Sequence, residues 1–346
     1  MKKKLTHLTL ALVTSITVVQ AENPAVVRAF DLKVEHLEEP IQLDVQQPRL
    51  SWKVEVSDPA AKKIQQESYH ILVASSPELL TNHKGDLWDS GVVASEQSIL
   101  VPYLGKKLKS RQACYWKVQI TDNTGNISPW SETASWEMAL LDSKDWKGSE
   151  WIGLAKDTRD SEFASRRPNN KDELLRSNPS PLLRKEIHIS KEVEKARAYV
   201  SGIGYSEFYI NGTKISDHVL DPGQTNYEKH TLYVVHDITD ALQPGTNALG
   251  VWFGNGFYGQ NLAFNPKFEY GKPTLRAKLF VEYADGSSET FVTDTSWKAT
   301  VSPILFDNVY WGESYDARKE IPGWSKPGLD DSNWQQAVKL KAPCPD

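Results

Sequence analysis

The sequence predicts an all-β protein built from two consecutive β-sandwich domains, and three observations carry that expectation. Short runs alternate apolar and polar residues with period 2, which is the pattern of strands with one buried face. Clusters of Gly, Pro, Asn, Asp and Ser separate these runs at regular intervals, as in antiparallel sandwiches. Helical periodicity is nearly absent. The 346 residues accommodate two or three domains at roughly 100–200 residues each. With 39% hydrophobic and 25% charged residues, each domain can bury a core.

The chain opens with Lys2, Lys3 and Lys4, followed by an apolar stretch from about Leu8 to Val19 and small residues at Val19-Gln20-Ala21. This is the layout of a secretory signal covering residues 1–21, too short with these flanks for a spanning helix. The mature chain is therefore expected to be exported, periplasmic or extracellular. No Cys lies near the cleavage point, so no stable membrane anchor is expected. Cys114 and Cys344 are the 2 cysteines of the chain and fall in different expected domains, so no disulfide framework is expected. Cys/His spacing of the zinc-binding kind is absent.

The first sandwich is expected over residues 23–140. In PRLSWKVEV (Pro48 to Val56), Leu50, Trp52, Val54 and Val56 share a face. SYHILVASS (Ser68 to Ser76) supplies another strand. In ACYWKVQITDNTGNISPWS (Ala113 to Ser131), Trp116, Val118 and Ile120 alternate with Tyr115, Lys117 and Gln119. Asp122-Asn123-Thr124-Gly125-Asn126 is its turn.

DSKDWKGSEWIG (Asp142 to Gly153) reads as a polar hinge closing on Trp151, and the charged stretch from Ala155 to Pro181 as a long surface loop. A second, jelly-roll-like sandwich is expected over 148–321. Its strands are LLRKEIHI, KARAYVSGIGYSEFYING, HTLYVVHDIT, TNALGVWFGNGFYG, PTLRAKLFVEYADGSSETFVTD and WKATVSPILF. Asn211-Gly212 and Ala284-Asp285-Gly286-Ser287 are hairpin turns within it. Residues 322–346 are expected to open a further β-domain.

The net charge of -5 argues against nucleic-acid binding, which requires a basic face, and no such face is visible in the sequence. The 12 Trp and 13 Tyr serve either as core anchors or as stacking platforms for a ligand. WGESYDARKEIPGW (Trp311 to Trp324) sets Glu313 and Asp316 among aromatic rings. Inverting glycosidases need an acid and a base roughly 6.5–9.5 Å apart. Three residues apart on a strand, Glu313 and Asp316 would face opposite sides. They are either an acid–base pair or structural groups.

The first domain, with a Trp in its early strand, YWKVQITDNTGN and then SPWSE, resembles a fibronectin type III domain. SGIGYSEFYING, DHVLDPGQTNY, GTNALGVWFGNGFYG and ILFDNVYWGESYDARKEIPGW follow in order and resemble the N-terminal region of bacterial α-L-rhamnosidases. Those are inverting glycoside hydrolases that remove terminal L-rhamnose. The resemblance implies that catalytic carboxylates lie in a downstream (α/α)6 barrel, whose DCPQRDER-type signature does not occur in this sequence. The chain is thus expected to be a non-catalytic N-terminal segment that binds rhamnose-containing glycans. The alternative is a stand-alone carbohydrate-binding or structural β-sandwich protein. Rings match the C–H face of a pyranose and amides read its hydroxyls. The expected carbohydrate-binding residues are Trp252, Asn255, Phe257, Tyr258, Trp311 and Glu313. Some of the proteins this chain resembles bridge sugar hydroxyls through a calcium ion, so the resemblance leaves calcium possible here, with Asn255 a candidate ligand. An acidic–amide pair expected on the first motif reads Ser206-Glu207 here.

Overall fold

The computed structural model describes residues 27–57, 62–155, 179–259, 270–310 and 312–344. The expected signal, most of the 155–181 loop and Trp311 lie outside the described residues. The chain divides into two compact units.

The first unit contains Arg49–Gly105, Trp116–Ala134 and the residues up to His36. In and at the borders of this unit run β1 (Val27–Val34), β2 (Arg49–Val56), β3 (Gln66–Ala74), β4 (Trp88–Ala94), β5 (Val101–Pro102), β6 (Ala113–Asp122) and β7 (Ala134–Glu137). One short helix, α1 (Pro77–Thr81), follows β3. One sheet runs β1-β2-β5 and the other β4-β3-β6-β7. Period-2 alternation puts Leu50 and Trp52 of β2 and Trp116, Val118 and Ile120 of β6 in the interior. Trp52 anchors it, edge-on to Tyr69 at 5.4 Å, with its indole N–H donating to Gln66 Oε1 at 2.9 Å. Asp122 accepts from Thr124 and Asn126 and so closes the expected turn. Lys117 departs from the alternation. It is buried, because its ammonium donates to Leu80 O at 2.5 Å at the end of α1 and lies 4.9 Å from the Trp130 ring.

The second unit contains Leu37–Pro48, Lys106–Tyr115 and everything from Ser135. Its strands are β8 (Ile152–Gly153), β9 (Pro181–Ile189), β10 (Val193–Ile203), β11 (Tyr205–Ile210), β12 (Thr213–Lys214), β13 (Val234–Asp237), β14 (Gly245–Gly254) and β15 (Thr274–Tyr283). They continue as β16 (Ser288–Val292), β17 (Lys298–Val301), β18 (Ile304–Asn308), β19 (Gly312–Tyr315), β20 (Gln335–Gln336) and β21 (Val338–Lys339). One sheet runs β13-β10-β15-β8-β21, with β16 beside β15; the other runs β12-β11-β14-β9-β17-β20. Between them lies a core of Leu183, Ile187, Ala198, Val200, Phe208, Leu249, Val251, Phe253, Leu279, Val281 and Trp297. Burying such side chains contributes roughly 1.5–3 kcal/mol each. A one-residue slip of β14 would turn Leu249, Val251 and Phe253 outward, so the register is fixed by burial.

The expected hairpins are present. Asn211 and Gly212 both have positive φ, and Ile210 pairs with Thr213 across the two-residue loop. Gly286 closes the turn between β15 and β16, where Tyr283 N–H donates to Ser287 O at 2.9 Å.

Two expectations meet a different structure. Residues 322–344 do not begin a separate body: β20 pairs with β17 and β21 with β8, adding an edge strand to each sheet of this sandwich. The 142–153 stretch is no free hinge. Lys278 donates to the carbonyls of Asp145 and Lys147, Arg276 Nε to Ser149, and Glu150 N–H to Thr293 O. Neither cysteine is in a disulfide. Among the described residues no helix is long and apolar enough to cross a membrane.

His236 of β13 is buried, beside Phe208 and His218, while His218 Nδ1 is 2.8 Å from Asp221 Oδ2. Burial above all, then the neighbouring His218, pushes its pKa down to about 4, with Asp221 opposing. The unfolded chain takes up this proton near the ordinary histidine value; the folded chain resists it until about pH 4. Stability is thus expected to be complete above pH 6.5 and to fall as pH drops toward 4, by up to about 3 kcal/mol. Thermal unfolding from pH 7.5 to 4.5 reads this, and His236→Gln should flatten the profile.

Candidate functional site

The end of β14 forms a corner with the β18–β19 hairpin. The sequence folds this way because Gly204, between β10 and β11, lets two backbones touch: a Cβ there would lie 2.4 Å from Gly254 O. Gly256 has φ 53°, which favours glycine, and a Cβ there would lie 3.0 Å from Gly204 C, a tight approach to backbone. Between these glycines, Asn255 is fully buried. Its N–H donates to Asp307 Oδ1 at 2.8 Å and its Nδ2 to Asp307 Oδ2 at 2.7 Å.

Asp307 belongs to β18 and pairs across the hairpin with Glu313 of β19. Burial raises the Asp307 pKa and Glu313 raises it further, against the donors of Asn255 and Gly256. Glu313 itself is exposed. At the hairpin tip, Tyr310 is 56% exposed, and Phe257 meets it edge-on at 6.3 Å. The corner therefore presents the exposed Glu313 carboxylate and the half-open rings of Phe257 and Tyr310 around a buried Asn255–Asp307 pair; carboxylates and rings are group types that meet the hydroxyls and the C–H face of a sugar.

The structure brings Asn255, Phe257 and Glu313 of the expected set to this corner. Two others lie apart from it. Tyr258 is only 6% exposed, packed edge-on to Tyr227 at 5.1 Å and stacked on Tyr270 at 6.1 Å, so its ring serves the interior. Trp252 points to the outer face of its sheet, edge-on to Trp324 at 6.0 Å. Its indole N–H is buried with no partner among the described residues. Asp307, which sequence reasoning missed, ties the corner together; its signal was a lone acid inside the apolar ILFDNVY run.

Asp316 is used up locally. It caps the turn Ala317–Lys319 and accepts a two-pronged pair from Arg318 at 2.8 Å. The Arg318 guanidinium holds its carboxyl at about 2.

Calcium requires six to eight oxygens. Among the described residues no group of three or more His, Cys, Asp or Glu is arranged for a metal. Both Asp307 oxygens accept from Asn255, and Glu207 is bound by Lys214 and Tyr209. These residues do not fit the expected calcium site.

Residues 191–345 match the α-L-rhamnosidase N-terminal domain family, and residues 29–142 match the Rha78A-like N-terminal immunoglobulin domain. An α-L-rhamnosidase of Formosa agariphila is 41% identical over 85% of this chain and 32% of its own length. The α-L-rhamnosidase structure from Dictyoglumus thermophilum superposes with a TM-score of 0.79 at 37% identity, covering 91% of this chain and 34% of that one. The Streptomyces avermitilis α-L-rhamnosidase complexed with L-rhamnose gives 0.79 at 25% identity over 92% and 45%. The chain spans about a third of the length of the curated relatives it matches. The two domain matches together span most of the chain, which corresponds to the N-terminal region of α-L-rhamnosidases, an immunoglobulin-type domain followed by the α-L-rhamnosidase N-terminal domain.

Proposed function

We propose that this region serves the hydrolysis of terminal α-L-rhamnosides without performing it, holding rhamnosyl groups at the Asn255 corner of an exported protein. The 41% identity to an α-L-rhamnosidase over most of the chain carries this reading. The fold it shares with an enzyme crystallised with L-rhamnose supports the substrate class. The basic-then-apolar start of the sequence supports export.

The engagement of Asp307 and Asp316 by their neighbours supports the non-catalytic reading. An inverting hydrolysis needs one carboxyl to deliver a proton and another to activate water. Asp316 stays ionised in its grip on Arg318 and cannot deliver one near neutral pH. Asp307 spends both oxygens on Asn255. In an assay with a chromogenic α-L-rhamnoside, the purified chain is expected to give no turnover. Turnover that disappears in Glu313→Gln would place catalysis at the hairpin and sink this reading. Titration calorimetry with L-rhamnose, with and without calcium, tests the binding half; absence of heat at millimolar sugar counts against it.

A further inference from the structure

We propose that Asp307 is the positioning residue of this corner: its carboxylate fixes Asn255 and the Gly254–Gly256 bend, and thereby the surface that Phe257 and the β18–β19 hairpin present to a ligand. The functional meaning of this inference rests on the sugar-binding reading; the positioning itself does not.

Three observations carry it. Asp307 accepts in two-pronged fashion from one residue 52 positions away, main chain and side chain together, and the Gly256 N–H adds a third donor. That arrangement sets the backbone direction at Asn255 as well as the plane of its amide. The hairpin is tied to the bend a second time at its tip, through Phe257 and Tyr310, so the bend and the hairpin move together.

The third observation is cost. Asp307 is half-buried, and Glu313 stands directly across the hairpin. Like charges directly opposite in a sheet destabilise it, and burial disfavours the charged form of Asp307. Retained charges of this kind cluster at functional sites, where geometry is held at the expense of stability.

Asp307→Asn is near in shape but presents a donor to one of Asn255's donors. Amide hydrogen exchange resolved to single residues tests the tie. Asn255 and Gly256 are expected to exchange roughly tenfold faster in Asp307→Asn, the factor expected from losing a hydrogen bond to a charged acceptor. Tm should change little, because the lost hydrogen bond offsets the removal of a half-buried charge. Affinity for L-rhamnose should fall by about the same factor. Glu313→Gln, on the exposed strand, keeps the fold and is expected to slow exchange at the same two amides. Unchanged exchange at Asn255 and Gly256 in both variants overturns the proposal. So does a fall in Tm with exchange quickened across the whole sandwich, which marks a purely structural role. If the wild-type chain gives no heat with L-rhamnose, the sugar reading fails while the exchange data still decide the positioning.

Discussion

Arg184→Ala is expected to destabilise the second unit by about 3–5 kcal/mol, the range for removing one partner of a buried ion pair. Arg184 is 1% exposed on the outer face of β9. Its guanidinium binds Asp331, donates to Glu186 at 2.7 Å and to Lys326 O at 3.1 Å. Glu186 also accepts from Gly328 N–H at 2.8 Å. These bonds hold the 324–331 segment over the sheet, where Trp324 packs edge-on to Tyr209 at 5.2 Å and to Trp252. Gly250 lies beneath: a Cβ there would be 2.6 Å from the Trp324 ring. Alanine at 184 leaves two carboxylates facing each other with no cation and opens space under the segment. Urea unfolding should show the loss, and amides of 324–331 should lose protection first. In a double-mutant cycle with Asp331→Ala, the second substitution should cost far less once Arg184 is gone. A single-variant loss below about 1 kcal/mol would mean the segment is held by its aromatic packing alone.

Alternation makes most of this fold legible in the sequence. β2, β3, β6, β9, β10, β14 and β15 all show it, because each has one face in a core. Asn211-Gly212 announces its hairpin because few residue pairs adopt positive φ twice. What alternation cannot show is a second covering on the outer face. Arg184 and Lys117 occupy outward positions where a charged residue normally meets water, yet each is buried by a segment that sequence spacing does not reveal. Arg184 meets Asp331 across 147 residues, and Lys117 meets Leu80 across 37. Trp252 reads as a platform for the same reason, and only the return of Trp324 shows that it is covered. The candidate site was half legible. Asn255, Phe257 and Glu313 carry the right chemistry for sugar in their own motifs, whereas Asp307 gains its role from a contact outside its motif.

Gly204→Ala tests whether fold and site share one point of failure, and it is expected to cost more than about 4 kcal/mol, among the largest single-residue effects. Two terms add. The residue has φ 114°, a region that L side chains rarely adopt, worth about 1–3 kcal/mol of strain. The new methyl would also sit 2.4 Å from Gly254 O and 3.5 Å from Asn255 O. Those obstacles are backbone and cannot rotate away, so the exit of β14 must move. Gly286→Ala separates the terms: φ there is 79° with nothing within 4 Å of the Cβ position, so about 1 kcal/mol is expected. Because Gly254 leads directly into Asn255, the displacement in Gly204→Ala also pulls Asn255 off Asp307. Its amide exchange should rise beyond what the lower global stability accounts for. A Gly204→Ala variant no less stable than Gly286→Ala would mean that the β10–β11 bend can yield, and that the close backbone contact is not what shapes the corner.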